Sequence, residues 1–547
     1  MSEAAKRWLA GAVLVLVTLA VHAPRGGGFA YDDNDFVVAN QSIRNLAGAV
    51  AALALPFPPE QPERGLYRPL TNLSYALDHA LWGSNAVGFH LTNALLYTLL
   101  VLAVARLSMV YLGSLGFAFS VALLFAVSPV HCEAVDNVAG RSEILALLWS
   151  VVSLLFFLRG THDTRSDRRW LVASAAAYAL ACASKETGVV LPVVLAAHRL
   201  ALSPPPPGSG LRSWLSDLRP LLPHAAVLVA YLVLRSVVLG RFSPAASILL
   251  DSGLTVRFAT IGTVYLLNLE LLIWPPLEVD FYYQAIVGLP DRFTALVVLG
   301  WLALLASAAA ALWLARRHFA DAIGEHSRAR ATALCAVSIF ATTLLPTSHL
   351  LDMGALAAER FLFAPSLGFL ILLVLAVRQL LGFAPALLRR GLGAALLLTV
   401  AAVGAWRSHE RAAEWRDPQR LWREAARSLP RDERVHTNLA AVLIERGQLE
   451  DAREALDIAL TLKPGYRAAL GNLATLDLEE GRLEEASTTY QHMLELEPDD
   501  FLTWYNLGRL ELARGRNDVA RQHFQRSIEI NPNFSHARLG LEAAGSR

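Results

Sequence analysis

The chain has 547 residues, 54% of them hydrophobic and 17% charged, with a mean hydropathy of +0.41. Soluble domains carry about 25% charged residues, so a wholly soluble protein is excluded. Forty-eight Lys and Arg against 47 Asp and Glu leave a formal net charge of +1, which removes the electrostatic case for a nucleic-acid partner. These averages hide a partition, because apolar runs fill residues 8 to 406 and charge concentrates from Trp406 to Arg547. Only Lys6, Lys185 and Lys463 are lysine, a bias that points to GC-rich coding in a bacterium and singles out each lysine. Cys132, Cys182 and Cys335 are odd in number and scattered, giving neither a disulfide framework nor a metal-type pair.

In chain order, the apolar run Trp8 to Ala23 follows Lys6 and Arg7 and reads as an uncleaved anchor, with the N-terminus inside and Tyr31 outside. Further spans are expected near residues 90–108, 114–130, 142–158, 169–183, 187–201, 221–239, 293–315, 331–345, 364–381 and 388–406. Arginines between them, such as Arg159, Arg168 and Arg169, Arg316 and Arg317, or Arg389 and Arg390, want the inner side. The stretch 258–274 is apolar but holds Asn268 and Glu270. A crossing there would move every later arginine cluster outside, so it reads as re-entrant, interfacial or packed within the bundle. The expected fold is all-α: a polytopic helical bundle of about 11 spans, with its C-terminal domain on the side opposite the N-terminus.

That C-terminal domain carries a period. Pro430, Pro464, Pro498 and Pro532 recur at one spacing, and Gly447, Gly481 and Gly515, Asn438, Asn472 and Asn506, and Ala452, Ala486 and Ala520 keep the same phase. A 34-residue unit of this pattern resembles the tetratricopeptide repeat, a stack of helix pairs each too small to bury its own apolar face. The expected organisation is a transmembrane domain over 1–406 with its first outer loop at about 24–89, a linker and partial repeat over 407–432, three repeats over 433–534 and a capping helix over 535–547. Such a solenoid offers a concave surface for a peptide or partner protein; a spacer or self-association module is the alternative.

Polar groups gather on the outer side of this topology. The first loop carries Asp32, Asp33 and Asp35; adjacent carboxylates repel, so one can hold a raised pKa and act as a base, or the pair can bind a cation or a hydroxyl-rich acceptor. A solvated acidic turn is the plainer reading. The same side receives His131, Glu133, Arg141 and Glu143, then Lys185 and Glu186, then His349, Glu359 and Arg360, with Arg68 ahead of the second span. Ionisable groups among apolar helices cost roughly 2.5 to 3.5 kcal/mol each at mid-span, so they are functional candidates by default. Local salt bridges are the alternative for Lys185, Arg360, Arg141 and Arg68, and a hydrogen-bonded helix-end role for His131 and His349, since no metal-ligand spacing is present.

Taken together, Tyr31-Asp32-Asp33, Tyr67-Arg68-Pro69-Leu70-Thr71, Leu81-Trp82-Gly83, Pro129-Val130-His131-Cys132-Glu133, Ser184-Lys185-Glu186 and Glu359-Arg360-Phe361 with Pro365-Ser366, followed by the repeats, resemble the transmembrane and tetratricopeptide repeat-containing O-mannosyltransferases, a branch of the GT-C membrane glycosyltransferases. The resemblance implies a polyprenyl-phosphate sugar donor, mannose first, and inverting transfer to a hydroxyl, Ser or Thr of a protein, on the non-cytoplasmic face. It implies Asp32 or Asp33 as base. Lys185, Arg360 and Arg141 would hold the leaving phosphate, and Arg68, His131, Glu133, Glu186 and Glu359 stand as further candidates. Because the donor is already activated, a cationic clamp can replace metal, so no obligatory cofactor is expected. Ser128 and Glu359-Arg360-Phe361 depart from the family's usual His and Asp-Arg-Tyr, which leaves sugar and acceptor open. The arginine bias favours a bacterial inner membrane with periplasmic repeats; in a eukaryote the counterpart is the endoplasmic reticulum with lumenal repeats. A non-catalytic repeat-bearing membrane scaffold or envelope assembly factor is the competing class, and it leaves the outer charges without a task.

Overall fold

A computed structural model describes residues 1–24, 26–161, 167–204, 211–240, 254–273, 290–320, 327–348, 357–532 and 534–545, and all regular structure among them is helical. His349 lies outside these residues. The chain divides into two compact units, whose boundary falls between Asp417 and Pro418.

The first unit begins with α1 (Glu3–His22), α2 (Leu46–Ala51) and α3 (Pro69–Trp82), then α4 (Ala86–Leu112), α5 (Leu115–Ala126), the single turn α6 (Cys132–Val135), α7 (Arg141–Gly160), α8 (Arg168–Ser184) and α9 (Leu191–Leu202). It continues with α10 (Leu211–Asp217), α11 (Leu222–Leu239), α12 (Leu254–Ile273), α13 (Pro290–Ala320), α14 (Ser327–Leu344), α15 (Phe363–Leu381) and α16 (Ala386–Arg416). Its core is one apolar cluster in which Tyr97, Leu100, Phe125, Phe157, Tyr178 and Phe363 are fully buried. With lipid outside, the backbone has no other partner than itself, which is why these greasy runs are helical.

Among the described residues, nine helices are long and apolar enough to cross a membrane, and α5 with the short helix after it passes the same test as a pair bent by 54°. Two expected spans are short: α8 has 17 residues and α9 has 12. At about 1.5 Å per residue, α9 covers only about 18 Å, less than a bilayer core of about 30 Å. By contrast α12, the stretch expected not to cross, meets the length and hydropathy test. Helix number alone therefore does not decide which side the C-terminus faces.

Residues 407–416, at the start of the stretch expected as linker and partial repeat, are helical. Helix α16 runs through to Arg416 as part of the first unit, because Arg407, Ser408, Arg411, Trp415 and Arg416 are buried.

The second unit opens with helix Pro418–Ser428 and then alternates Glu433–Glu445 with Leu449–Leu462, Arg467–Glu479 with Leu483–Leu496, and Phe501–Ala513 with Asn517–Ile530, ending in Ser535–Gly545. Gly447, Gly481 and Gly515 stand at the turn inside each pair with φ of 71°, 75° and 73°, a left-handed backbone that disfavours any residue with a Cβ. Ala452, Ala486 and Ala520 are fully buried where the paired helices cross, so the period in the sequence is the period of the packing.

Candidate active site

The loop after α1 is shaped by its backbone before any side chain acts. Tyr31 holds φ at 53°, the left-handed region that a bulky residue enters only when its surroundings compel it. The next residues enter a π-helical turn, Asn34–Val38. Between these two features the adjacent aspartates part company. Asp33 is fully buried and accepts hydrogen bonds from the backbone N–H of Ala30 at 3.1 Å and of Ala139 at 2.6 Å. Gly140 makes this possible, since a Cβ there would sit 2.3 Å from the Ala134 carbonyl and push the Val138–Gly140 turn off α6. Burial lifts the Asp33 pKa to about 7, against the pull of the Ala30 and Ala139 N–H groups. Asp33 therefore ties the loop to the segment ahead of α7.

Asp32 is half-buried, and among the described residues its carboxylate has no hydrogen-bond partner. Burial raises its pKa, opposed by the positive charge of Arg360 and then Arg64. Arg64 itself is engaged by Asp35. The proximity of Arg360 brings the third cluster of the sequence, residues 359 to 361, to the first.

Around Asp32 the expected cations are each matched to a carboxylate from a distant segment. Arg360 pairs with Glu133 through one Nη, while its backbone N–H donates to the other Glu133 oxygen at 2.8 Å. Lys185 pairs with Glu143, not with its neighbour Glu186. Glu186 instead accepts from Arg68 Nε at 3.1 Å and from the Tyr67 N–H at 3.3 Å. Arg68 also reaches Ser142. Glu133, Glu143, Glu186 and the three cations thus join the start of α3, α6, α7, the turn ahead of α15 and the turn after α8 into one charged cluster. Not all of its capacity is used. Among the described residues Arg360 Nε and its second Nη bind nothing, and Lys185 has only Glu143. These open N–H groups are what a phosphate would need.

Three expected residues do different work. Arg141, expected at the donor phosphate, is fully buried: it donates to Asn93 at 2.7 Å, to the Phe89 carbonyl at 3.0 Å, to the Ser74 carbonyl and to Asp78, and it stacks over Tyr75 at 4.7 Å. With these partners it bolts α3 and α4 to α7 and offers no face to a ligand. His131 is fully buried, with Tyr97 Oη at 2.7 Å from Nδ1 and Ser366 Oγ at 2.8 Å from Nε2, so it pins the α5–α6 bend to α15. Glu359 is held by Arg411 at 2.6 Å. The matching charges come from Asp136, in the same polar stretch as Glu133, and from Arg411, Arg416 and Asp78, which nothing in the sequence singles out. An arginine past the apparent end of the last span looks like a surface residue, and nothing in the linear pattern shows that its helix turns inward.

Among the described residues one group could hold a metal ion: His22, Cys132 and Asp136, with ligand atoms within 4.8 Å of one another. Its carboxylate is already engaged by His22 Nδ1 at 2.8 Å and Arg416 at 2.6 Å. That ion pair would have to open to admit a cation.

Comparison with known proteins adds to this geometry. Residues 62–240 match the family model described as dolichyl-phosphate-mannose-protein mannosyltransferase, and residues 405–467 and 472–533 match the tetratricopeptide repeat model. A Caenorhabditis elegans protein O-mannosyl-transferase is 25% identical over 474 residues, covering 83% of this chain and 63% of its own length. A Mus musculus protein O-mannosyl-transferase is 26% identical over 471 residues, covering 77% of this chain and 62% of its own. The chain therefore spans less than two thirds of these relatives. Among solved structures, ArnT from Cupriavidus metallidurans bound to undecaprenyl phosphate aligns over 92% of this chain and 81% of that one, with 16% identity and a TM-score of 0.41.

Proposed function

We propose that this chain, a member of the transmembrane and tetratricopeptide repeat-containing O-mannosyltransferase family, is a membrane glycosyltransferase that moves mannose from a polyprenyl phosphate to a Ser or Thr hydroxyl of a protein. The reaction takes place on the non-cytoplasmic face, and the repeats hold the polypeptide acceptor or a partner. The observation that carries this reading is the contrast at the site. Among the described residues Asp32 has an unpartnered carboxylate beside Arg360, whose remaining N–H groups are open, while Glu133, Glu143 and Glu186 are paired.

The chemistry follows from those positions. Asp32 takes the proton of the acceptor hydroxyl as its oxygen attacks the anomeric carbon from the face opposite the leaving group. The new C–O bond forms as the bond to the phosphate oxygen breaks, the phosphate leaves with the electron pair, and the anomeric configuration inverts. Arg360 as a fork and Lys185 as a point charge receive the negative charge that develops on the phosphate. Glu133 and Glu143 keep both cations in place and hydrogen-bonded before the donor arrives. Asp33 serves as the loop's anchor. With two cations at the leaving group, a divalent ion is not needed.

The test uses the purified full chain in lipid nanodiscs with polyprenyl-phosphate mannose and a Ser/Thr-rich polypeptide. Transfer that persists in a chelator is the expected result. No transfer with any polyprenyl-phosphate sugar and any hydroxyl acceptor would favour the scaffold instead.

A further inference from the structure

Three segments supply the proposed site, and they lie far apart in the sequence: Asp32 in the first loop, Glu133 on α6 and Arg360 ahead of α15. A reaction centre needs its groups held within about 0.5 Å of the productive geometry. One helix end touches the immediate neighbourhood of all three. The Trp415 ring, buried on α16, meets Tyr31 edge-on at a centroid distance of 6.3 Å and 67°, and Tyr31 is the residue in left-handed conformation directly before Asp32. The Arg416 carbonyl accepts from the Gly28 N–H at 2.9 Å, fixing the start of the same loop. The Arg411 guanidinium holds Glu359, directly before Arg360, at 2.6 Å. The Arg416 guanidinium holds Asp136, at the end of the turn that carries Glu133, at 2.6 Å, and also the His22 carbonyl at 2.8 Å. Higher on α16, Ser408 Oγ donates to the Val127 carbonyl at 2.9 Å, and Cys132 Sγ donates to the Ser408 carbonyl at 3.4 Å.

From this arrangement we infer that the last turns of α16, through Arg411, Trp415 and Arg416, are the positioning element of the site: they set the base, through Tyr31, and the phosphate-binding arginine, through Glu359, on one rigid helix. The inference rests on the reading of Asp32 and Arg360 given above. Arg411 and Trp415 are four residues apart and so lie on one helix face. Helix α16 is continuous over 31 residues, so a shift at one contact is felt at the other. Two separable defects follow. Without the Arg411 guanidinium, the Glu359 carboxylate loses a cation held at 2.6 Å, and its negative charge competes more strongly with a phosphate for the neighbouring Arg360. Without the indole, Tyr31 loses the ring contact that supports its left-handed backbone, and Asp32 loses its aim while the cations keep theirs.

The experiment compares wild type, Arg411→Gln, the pair Arg411→Gln with Glu359→Gln, Trp415→Phe and Trp415→Ala, each as the full chain in nanodiscs. It measures polyprenyl-phosphate affinity, the transfer rate at saturating donor, and backbone hydrogen exchange. Arg411→Gln is expected to weaken polyprenyl-phosphate binding about tenfold or more, the size expected for one compromised charged hydrogen bond, and the double variant to recover most of the loss. Trp415→Ala is expected to slow transfer about tenfold or more with donor affinity unchanged, Trp415→Phe to retain most of the rate, and residues 29–36 to exchange faster in the alanine variant while α7 does not. A double variant no better than Arg411→Gln would reduce Arg411 to a fold-holding residue and overturn the inference, as would wild-type affinity and rate in both single variants. If wild type neither binds polyprenyl phosphate nor transfers sugar, the functional reading fails. Hydrogen exchange then decides the positioning role: no change near Asp32 in Trp415→Ala and near Arg360 in Arg411→Gln overturns it.

Discussion

Several ion pairs of the repeat unit lie open to water, whereas those that tie the helices of the bundle together are buried. In the repeat unit Arg423 meets Asp451 with side chains 47% and 56% exposed, and Arg467 and Glu497 pair with similar exposure. In the bundle Arg141 and Asp78 are 0% and 3% exposed, and Arg411 and Glu359 are 1% and 5%. Where water reaches both partners the pair gains little and reveals nothing about function. Where water is excluded, an unmatched charge is costly, and among the described residues Arg141, Arg411, Arg416 and Lys185 each have an acidic partner. Among the described residues Asp32, Arg360 and Lys185 keep open capacity side by side.

The comparison breaks first at Arg141. Replacing it with alanine leaves Asp78 buried without its cation, and a loss of about 3–5 kcal/mol of stability is expected, read as earlier thermal unfolding in detergent. Unfolding at the wild-type temperature would mean that the buried pairs are not sealed. Lys185→Ala comes next: loss of one charge-assisted contact to the donor phosphate, roughly 1.5–3 kcal/mol, predicts polyprenyl-phosphate binding about 10- to 100-fold weaker. Equal binding would remove lysine from the clamp. The smallest effect belongs to the repeats, where Arg423→Ala is expected to shift stability by no more than about 1 kcal/mol; a larger loss would erase the contrast between the units.

Acidity sharpens the same contrast between the two aspartates. Asp33 has a folded pKa of about 7, above the ordinary value of 3.8, so the folded state holds the extra proton between those values. Its contribution to stability is fully present below the ordinary value and is lost as pH rises through about 7. Asp33→Asn is expected to flatten that part of a stability-against-pH curve measured by thermal unfolding; an unchanged slope would assign it to other groups. Asp32 must be deprotonated to act, and its pKa is also raised. The transfer rate of wild type should fall on the acid side at a pH above the usual aspartate range, and a limb at the pKa of an exposed aspartate would contradict the half-buried site.

Much of this was legible from the sequence, for physical reasons that can be named. The repeats announced themselves because glycine at a left-handed turn and alanine at a helix crossing admit few substitutes, so geometry writes itself into a fixed spacing. The ionisable groups of the bundle were legible because ions among apolar residues are expensive. Their pairing was not, since which carboxylate faces Lys185 depends on how α7 packs against α8, and the nearer-in-sequence Glu186 turned out to serve Arg68. The partners of Arg141 were hidden for the same reason: a buried arginine with a saturated fork and one aimed at a ligand are written with the same letter. The extent of α16 was hidden by charged residues that are buried against polar partners, a pattern that hydropathy scores as solvent-exposed linker. The two adjacent aspartates could be told apart only through the backbone N–H of Ala139, more than a hundred residues away.

That division between the aspartates is the centre of the proposed mechanism, and single-turnover transfer by wild type, Asp32→Asn and Asp33→Asn tests it most directly. Loss of a general base is expected to slow Asp32→Asn by about a thousandfold with polyprenyl-phosphate affinity preserved, while Asp33→Asn, which keeps an acceptor oxygen for the loop, stays within about tenfold of wild type. Wild-type transfer by Asp32→Asn together with its loss in Asp33→Asn would contradict the assignment.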